Sequence, residues 1–205
     1  MSMKIKTLIG SVAVAAALAS CGISADGRLA LYTPTVATEY RIDGTTSSYV
    51  GCDNLVTAGV NTPASTQVRV AFTTSGNISS AQVRLVGNTT NTQDNDFKKT
   101  FVPGDGSLEA SGTNSYRVYF TAQAATGGIL PTSKGGLSSQ AIIVTPVRSN
   151  IKTVTVSSQV GGTNGGFRAE LTGYSDGGSQ AVAPLSSLVP VYAQCTVISD
   201  TGEKL

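Results

Sequence analysis

The sequence of 205 residues contains no histidine and no tryptophan, and only two methionines and three cysteines. Without histidine the chain cannot form a Ser–His–Asp or Cys–His catalytic group, nor a zinc or copper site built on imidazole ligands. Charged residues make up only 13% of the chain, and 14 basic against 12 acidic residues give a net charge of +2. A nucleic-acid partner is not expected, because phosphate backbones are bound through a larger basic excess.

The first twenty residues have the pattern of an export signal. Lys4 and Lys6 precede an almost wholly apolar or small run over 8–18. That length is typical of the hydrophobic region of a signal peptide and is too short to span about 30 Å of hydrocarbon. The run ends in Leu18-Ala19-Ser20-Cys21, where small residues precede a thiol. These four residues resemble the lipobox of bacterial lipoproteins.

The resemblance covers residues 1–21 and implies cleavage before Cys21, with a diacylglyceryl or acyl lipid on the Cys21 thiol as the only attached group. The lipid would make the bilayer a partner of the chain and hold the exported protein at a membrane. Gly22 follows the cysteine, rather than the Asp that favours inner-membrane retention, so the resemblance implies the outer membrane or cell surface. The alternative is an ordinary signal peptide, with Cys21 an incidental thiol.

A second resemblance rests on Ala17-Leu18-Ala19-Ser20-Cys21-Gly22 and on the composition of the rest of the chain. Removal of residues 1–20 takes away Lys4 and Lys6, so the remaining body has equal numbers of basic and acidic residues. With its Ser-, Thr- and Gly-rich neutral body, the chain resembles envelope lipoproteins of deinococcal type. That resemblance implies association with surface-layer and outer-membrane assemblies.

Cys52 and Cys195 remain once Cys21 is assigned to the lipid. Disulfides persist in exported domains, so we expect these two residues to form one bridge. A redox-active pair is the alternative. The sequence has no Cys-x-x-Cys spacing and no evident helix N-terminus that would lower the pKa of a thiol.

Apolar residues alternate with polar ones at a period of two along the body. In 66–73, for example, Val68, Val70 and Phe72 share one face, and Gln67 and Arg69 share the other. Such alternation predicts half-buried strands. It occurs in five segments, 66–73, 81–86, 115–121, 167–171 and 191–197. Further strands are predicted at 29–33, 37–43, 97–102, 139–145 and 151–158.

Short Gly- and Asn-rich segments separate these strands and have the chemistry of tight turns. The pattern therefore predicts an all-β fold, an antiparallel Greek-key or immunoglobulin-like β-sandwich of roughly ten strands with one disulfide. We expect a signal peptide over 1–20, a lipidated tether over 21–28 and one domain over 29–205. Two smaller units with a boundary near 124–137 are the alternative.

Four groups of polar residues are candidate sites. Asp94 and Asp96 lie in an oxygen-rich loop that suits a hard cation such as calcium, although the loop lacks EF-hand spacing and a plain polar turn is the alternative.

Arg69, Arg84 and Arg117 occupy outer faces of predicted strands and form either a basic stripe for a partner or separate solvated side chains. The seven tyrosines include a candidate sugar-stacking platform, with cross-strand packing as the alternative. Lys98-Lys99 in a predicted edge strand would oppose edge-to-edge pairing.

Three functions are compatible with these features. The first is a non-enzymatic, lipid-anchored accessory or structural subunit that docks on a larger envelope assembly. The second is a glycan-binding surface module. The third is an enzyme: the expected exported sandwich with one disulfide is similar to the Cu/Zn superoxide dismutase family, whose copper site is made of histidines that this chain lacks. The sequence identifies no small-molecule substrate and no catalytic residue.

Overall fold

The computed structural model of the chain describes residues 28–45, 48–87, 98–104, 107–124, 140–144, 147–157 and 165–205. Within these residues the chain forms seventeen β-strands and no α-helix. The described part accordingly contains no helix with the length and apolar character needed to cross a bilayer. The strands are β1 (Ala30–Leu31), β2 (Thr35–Thr38), β3 (Tyr40–Ile42), β4 (Tyr49–Cys52), β5 (Asn54–Thr57), β6 (Val60–Pro63), β7 (Thr66–Ser75), β8 (Ser80–Gly87), β9 (Lys98–Phe101), β10 (Leu108–Gly112), β11 (Ser115–Ala124), β12 (Gln140–Val144), β13 (Asn150–Val156), β14 (Gly166–Tyr174), β15 (Gln180–Val182), β16 (Val189–Tyr192) and β17 (Cys195–Lys204).

The strands belong to two sheets. In the six-stranded sheet, β7 and β11 pair antiparallel at the centre, β1 and β2 pair with β7, and β10 and β12 pair with β11. The eleven-stranded sheet has the order β6-β5-β17-β13-β3-β4-β16-β14-β8-β9, with β15 beside β14. Lys98 and Lys99 lie on β9, the last strand of that order, so the predicted edge strand is confirmed among the described residues.

The main core lies between β7 and β11 of one sheet and β8 and β14 of the other. Val70 and Val118 are register partners in the first sheet, and Leu85 and Ala169 are partners in the second; all four side chains are buried. The Phe101 and Phe120 rings meet between the sheets at a centroid distance of 5.8 Å. The predicted all-β sandwich is confirmed, because four of the five alternating segments place their apolar residues in this core.

The predicted Cys52–Cys195 disulfide is also confirmed. It joins the last residue of β4 to the first residue of β17, with a Cα–Cα distance of 5.9 Å across a separation of 143 residues. Both cysteines are fully buried in a second core, whose other buried members are Tyr40, Val50 and Val154. The bridge therefore lies inside a small apolar cluster away from the main core.

Two predicted strands are interrupted. The segment 37–43 is divided at Glu39, because β2 belongs to the six-stranded sheet and β3 to the other. The segment 191–197 is divided after Tyr192, because β16 pairs with β4 whereas β17 pairs with β5 and β13. Val191 and Cys195, which an unbroken strand would place on one face, are buried in the main core and the second core respectively.

The second sheet also contains three parallel pairs, β3 with β13, β4 with β16, and β5 with β17. Each pair joins strands far apart in the sequence, so no hairpin sets their direction. The sandwich has more strands than the ten predicted because several, such as β4, β6 and β15, have only three or four residues and no clear alternation. Residues 125–139, which include most of the alternative domain boundary, lie outside the described residues. Strands from both sides of that range contribute to the main core.

Candidate functional site

An open groove lies between β2 of the six-stranded sheet and the starts of β4 and β16 in the other sheet. It has a volume of about 280 Å³ and is lined by Val36 of β2, Ser48 and Tyr49 at the start of β4, and the segment 187–190. Val36 and Val189 connect its lining to the main core, while Ser48 and Ser187 bring hydroxyl groups to it. The groove therefore combines apolar surface, one aromatic ring and hydrogen-bonding groups.

The wall formed by 183–188 is held against β14 by Ser186. The amide of Ser186 donates to the Ala169 carbonyl at 3.1 Å, and its buried hydroxyl accepts from the Ala169 amide at 2.8 Å. The Arg168 guanidinium donates to the Ser186 carbonyl at 2.8 Å. A side-chain hydroxyl thus replaces a missing strand contact and fixes the wall without regular pairing.

Two large exposed apolar side chains lie on this part of the chain, one at the end of β15 and one within 183–188. Val182 is 66% exposed and Leu185 is 50% exposed. We call these two residues the apolar rim of this segment; neither lines the groove. Contiguous exposed apolar patches mark protein interaction sites, whereas single exposed residues are common on any surface.

The opposite wall is supported by a buried polar network around Glu39. Its carboxylate accepts hydrogen bonds from the Gln67 amide at 2.8 Å and from Lys152 Nζ at 3.1 Å. The Gln67 side chain in turn donates to the Val147 carbonyl at 2.8 Å and accepts from the Ser149 amide at 2.6 Å. The network links the centre of the six-stranded sheet to β13 of the other sheet.

Tyr40 lies beside this network and donates a hydrogen bond to the Ser65 carbonyl at 3.2 Å. Burial raises the pKa of the Tyr40 hydroxyl far above its usual value, and the neighbouring Glu39 carboxylate raises it further. Lys152 Nζ lies 5.5 Å from the Tyr40 ring centroid. Tyr40 is therefore a neutral, structural side chain, and its hydroxyl is not available to a ligand.

The other tyrosines do not form one stacking platform. Tyr119 is buried, and Tyr192 packs half-buried against the second core. The Tyr116 ring stacks on Phe72 at a centroid distance of 5.7 Å, as expected for cross-strand packing. Of the seven tyrosines, Tyr49 is the one that lines the groove. No local pattern could have singled it out, since the groove combines three segments that are distant in the chain.

The predicted stripe of Arg69, Arg84 and Arg117 is wrong in one member. Arg69 and Arg117 lie on paired strands of the six-stranded sheet, on the face away from the main core. Arg84 lies on β8 of the other sheet, opposite Glu170, and its Nε donates to the Glu170 carboxylate at 2.8 Å. Arg148, which the alternation did not select, instead contacts the face that carries Arg69 and Arg117.

Several expected site residues lie outside the described residues. They are Cys21, with the whole lipobox, and the weak metal candidates Asp94 and Asp96. Among the residues that the structure describes, no group of three or more His, Cys, Asp or Glu side chains is placed to hold a metal ion.

Comparison with protein-family models, with curated proteins and with solved structures finds no match to this chain.

Proposed function

We propose that the chain is a non-enzymatic, lipid-anchored protein of the cell envelope that docks on a larger outer-membrane or surface-layer assembly. The lipid on Cys21 would hold it at the membrane, and the short tether over 21–28 would keep the β-sandwich close to a membrane-embedded partner. The disulfide in a buried cluster suits a protein that works outside the cytoplasm.

The observation that carries the docking proposal is the apolar rim. Val182 and Leu185 expose much of their side chains on the segment that precedes the groove residues 187–190. A partner that covered the rim would remove this apolar surface from water, at about 25 cal/mol per Å² buried. The segment is held by Ser186, so little conformational entropy would be lost on docking.

The test is native purification of the full chain after mild detergent extraction from the producing cells. The variant Val182→Asp/Leu185→Asp places charge on the rim. The variant Val60→Asp places it on the β5–β6 hairpin, where Val60 is 62% exposed and thus similarly accessible. We expect the natural chain and Val60→Asp to migrate in a large assembly, and the rim variant to migrate alone. A natural chain that migrates alone at every salt concentration would refute docking.

A glycan-binding module remains the second candidate, and one observation favours it. Tyr49 shares the groove with the hydroxyls of Ser48 and Ser187, and an aromatic ring beside hydrogen-bonding groups suits a sugar. Retention of the chain on isolated cell-wall glycan would test it, with Tyr49→Ala as the variant and Tyr174→Ala as the control. Loss of retention with Tyr49→Ala alone is the result this candidate predicts; equal retention of both variants removes it.

A further inference from the structure

The face of the six-stranded sheet away from the main core is covered at Ala37 and Tyr119 by Ile151 and Leu205. Outside this cluster, the small side chain of Ala71 is surrounded by longer polar ones. Thr35 on β2 and Arg117 on β11 are the register partners of Ala71 on its two sides. Arg69 and Thr73 lie two residues before and after it on β7, and therefore on the same face. Two guanidinium groups and two hydroxyls thus border a position where the sheet carries only a methyl group.

Arg69 and Arg117 have no charged partner among the described residues. Both side chains are half-buried, and neither makes an ion pair or a side-chain hydrogen bond there. Glu109 is the register partner of Arg117 on β10, but its carboxylate is bound by Arg148. Partial burial of a guanidinium without a counter-charge costs free energy, which a bound anion would offset.

Tyr119 is a second unsatisfied group on this face. It is the register partner of Arg69, and the Arg148 guanidinium lies 4.5 Å from its ring centroid. Tyr119 is 5% exposed, and its buried hydroxyl finds no hydrogen-bond partner in the described part of the chain. Buried hydroxyls in folded proteins nearly always have a partner, so the Tyr119 hydroxyl is a free hydrogen-bonding group on this face among the described residues.

We propose that Arg69 and Arg117, with the hydroxyl of Thr73, bind a phosphate group above Ala71; the Thr35 hydroxyl already donates to the Ala71 carbonyl at 3.4 Å. Diagonal neighbours on paired strands are about 7–8 Å apart, which long side chains can bridge. Donors placed on both strands and on both sides of Ala71 along β7 suit a tetrahedral anion, whereas a planar carboxylate presents only two oxygens. The phosphate comes either from a lipid headgroup or from a soluble phosphate compound, and the chemistry of recognition is the same.

The first test uses the full chain in neutral detergent micelles, titrated calorimetrically with inorganic phosphate and, separately, with micelles doped with phosphatidylglycerol. We expect saturable binding that is at least tenfold weaker in Arg69→Gln/Arg117→Gln. The control Arg28→Gln/Arg84→Gln changes the net charge equally and should bind like the natural chain. Binding of the doped micelles alone would identify a lipid headgroup, and equal binding of inorganic phosphate would identify a soluble source.

A second readout needs no variant. Phenylglyoxal modifies arginine side chains, and mass spectrometry reports the rate at each position. We expect the same phosphate ligands to slow modification of Arg69 and Arg117 several-fold while leaving Arg28 unchanged. No saturable binding of either ligand, or equal weakening in both double variants, would overturn the proposal. Either result would leave docking through the apolar rim untouched, because the rim lies on a different segment.

Discussion

Glu39 is the residue at which the chain passes from one sheet to the other, and its carboxylate bonds to both. In the sequence it resembles an ordinary polar residue of the predicted strand 37–43. Its partners Gln67 and Lys152 lie 28 and 113 residues away, so no local pattern could predict the network. The environments of the seven tyrosines could not be predicted either. Strand alternation predicts on which face of a sheet a side chain lies, but it does not predict which residues cover that face.

Replacing Glu39 by Gln should lower the free energy of unfolding by about 1–3 kcal/mol, because hydrogen bonds to charged groups contribute about that much. Urea unfolding of the variant measures this as a lower midpoint with an unchanged slope. The control is Glu203→Gln, whose carboxylate makes an exposed ion pair with Arg41 at 3.5 Å and should contribute less than about 1 kcal/mol. Equal losses in the two variants would show that the buried network has no special role.

Tyr40 should make the free energy of unfolding decrease as the pH rises into the alkaline range. Its pKa in the folded chain is raised by burial, whereas the unfolded chain loses the phenolic proton near pH 10. The contribution of the neutral Tyr40 side chain to the free energy of unfolding is therefore fully present below about pH 10. Above that pH it declines by up to about 1.4 kcal/mol per pH unit.

Urea unfolding measures this contribution when the midpoints of the natural chain and of Tyr40→Phe are compared between pH 8 and pH 11. The comparison isolates Tyr40, since the two proteins share all other titrating groups. The variant should be less stable at pH 8, having lost the hydrogen bond to Ser65, yet should lose stability less steeply above pH 10. Parallel curves for the two proteins would mean that Tyr40 ionises as easily in the folded chain as in the unfolded one.

At the scale of elements, alternation predicted the strands that keep one face in the main core along their length, such as β7, β8, β11 and β14. The predicted strands were interrupted where the chain passes from one sheet to the other, at Glu39, or from one core to the other, after Tyr192. It also missed the β5–β6 hairpin, because all of β6 is exposed and carries no apolar face. Apolar and polar residues alternate along a strand when one side of it is buried, so a strand without such burial cannot be recognised from this pattern.

The β5–β6 hairpin turns through Ala58 and Gly59, which have φ values of 50° and 81°. Two-residue turns with both residues in this region favour Asn-Gly, and alanine there is strained. Ala58→Asn should therefore raise the free energy of unfolding by about 0.5–1 kcal/mol. The control Ala110→Asn places the same side chain in the exposed part of β10, where it should be neutral or destabilising. Thermal unfolding compares the two, and a destabilising Ala58→Asn would contradict the turn geometry.

At the scale of the whole molecule, apolar residues are buried in three clusters: the main core, the second core and a smaller one formed by Ala37, Tyr119, Ile151 and Leu205. Period-two alternation and turn chemistry predicted the sandwich, and the cysteine count predicted the disulfide. The groove and the contact of Arg148 with Tyr119 could not be predicted, since their residues meet only through the pairing of distant strands.

Loss of the disulfide should cost about 2–5 kcal/mol, because it closes a loop of 143 residues and the second core is small. Urea unfolding of Cys52→Ala/Cys195→Ala measures the total loss. The natural chain under strong reductant is the control, because it loses the bond and keeps both sulfur atoms in the cluster. A double variant as stable as the natural chain would mean that strand pairing alone holds β4 and β17 in place.

Intact-mass spectrometry of the protein purified from membranes tests the lipid anchor most directly. We predict a chain that begins at Cys21 and carries the added mass of a diacylglyceryl group, with or without a further acyl chain. An unacylated chain that still contains residues 1–20, or a chain cleaved elsewhere with a free Cys21 thiol, would contradict the proposed anchor.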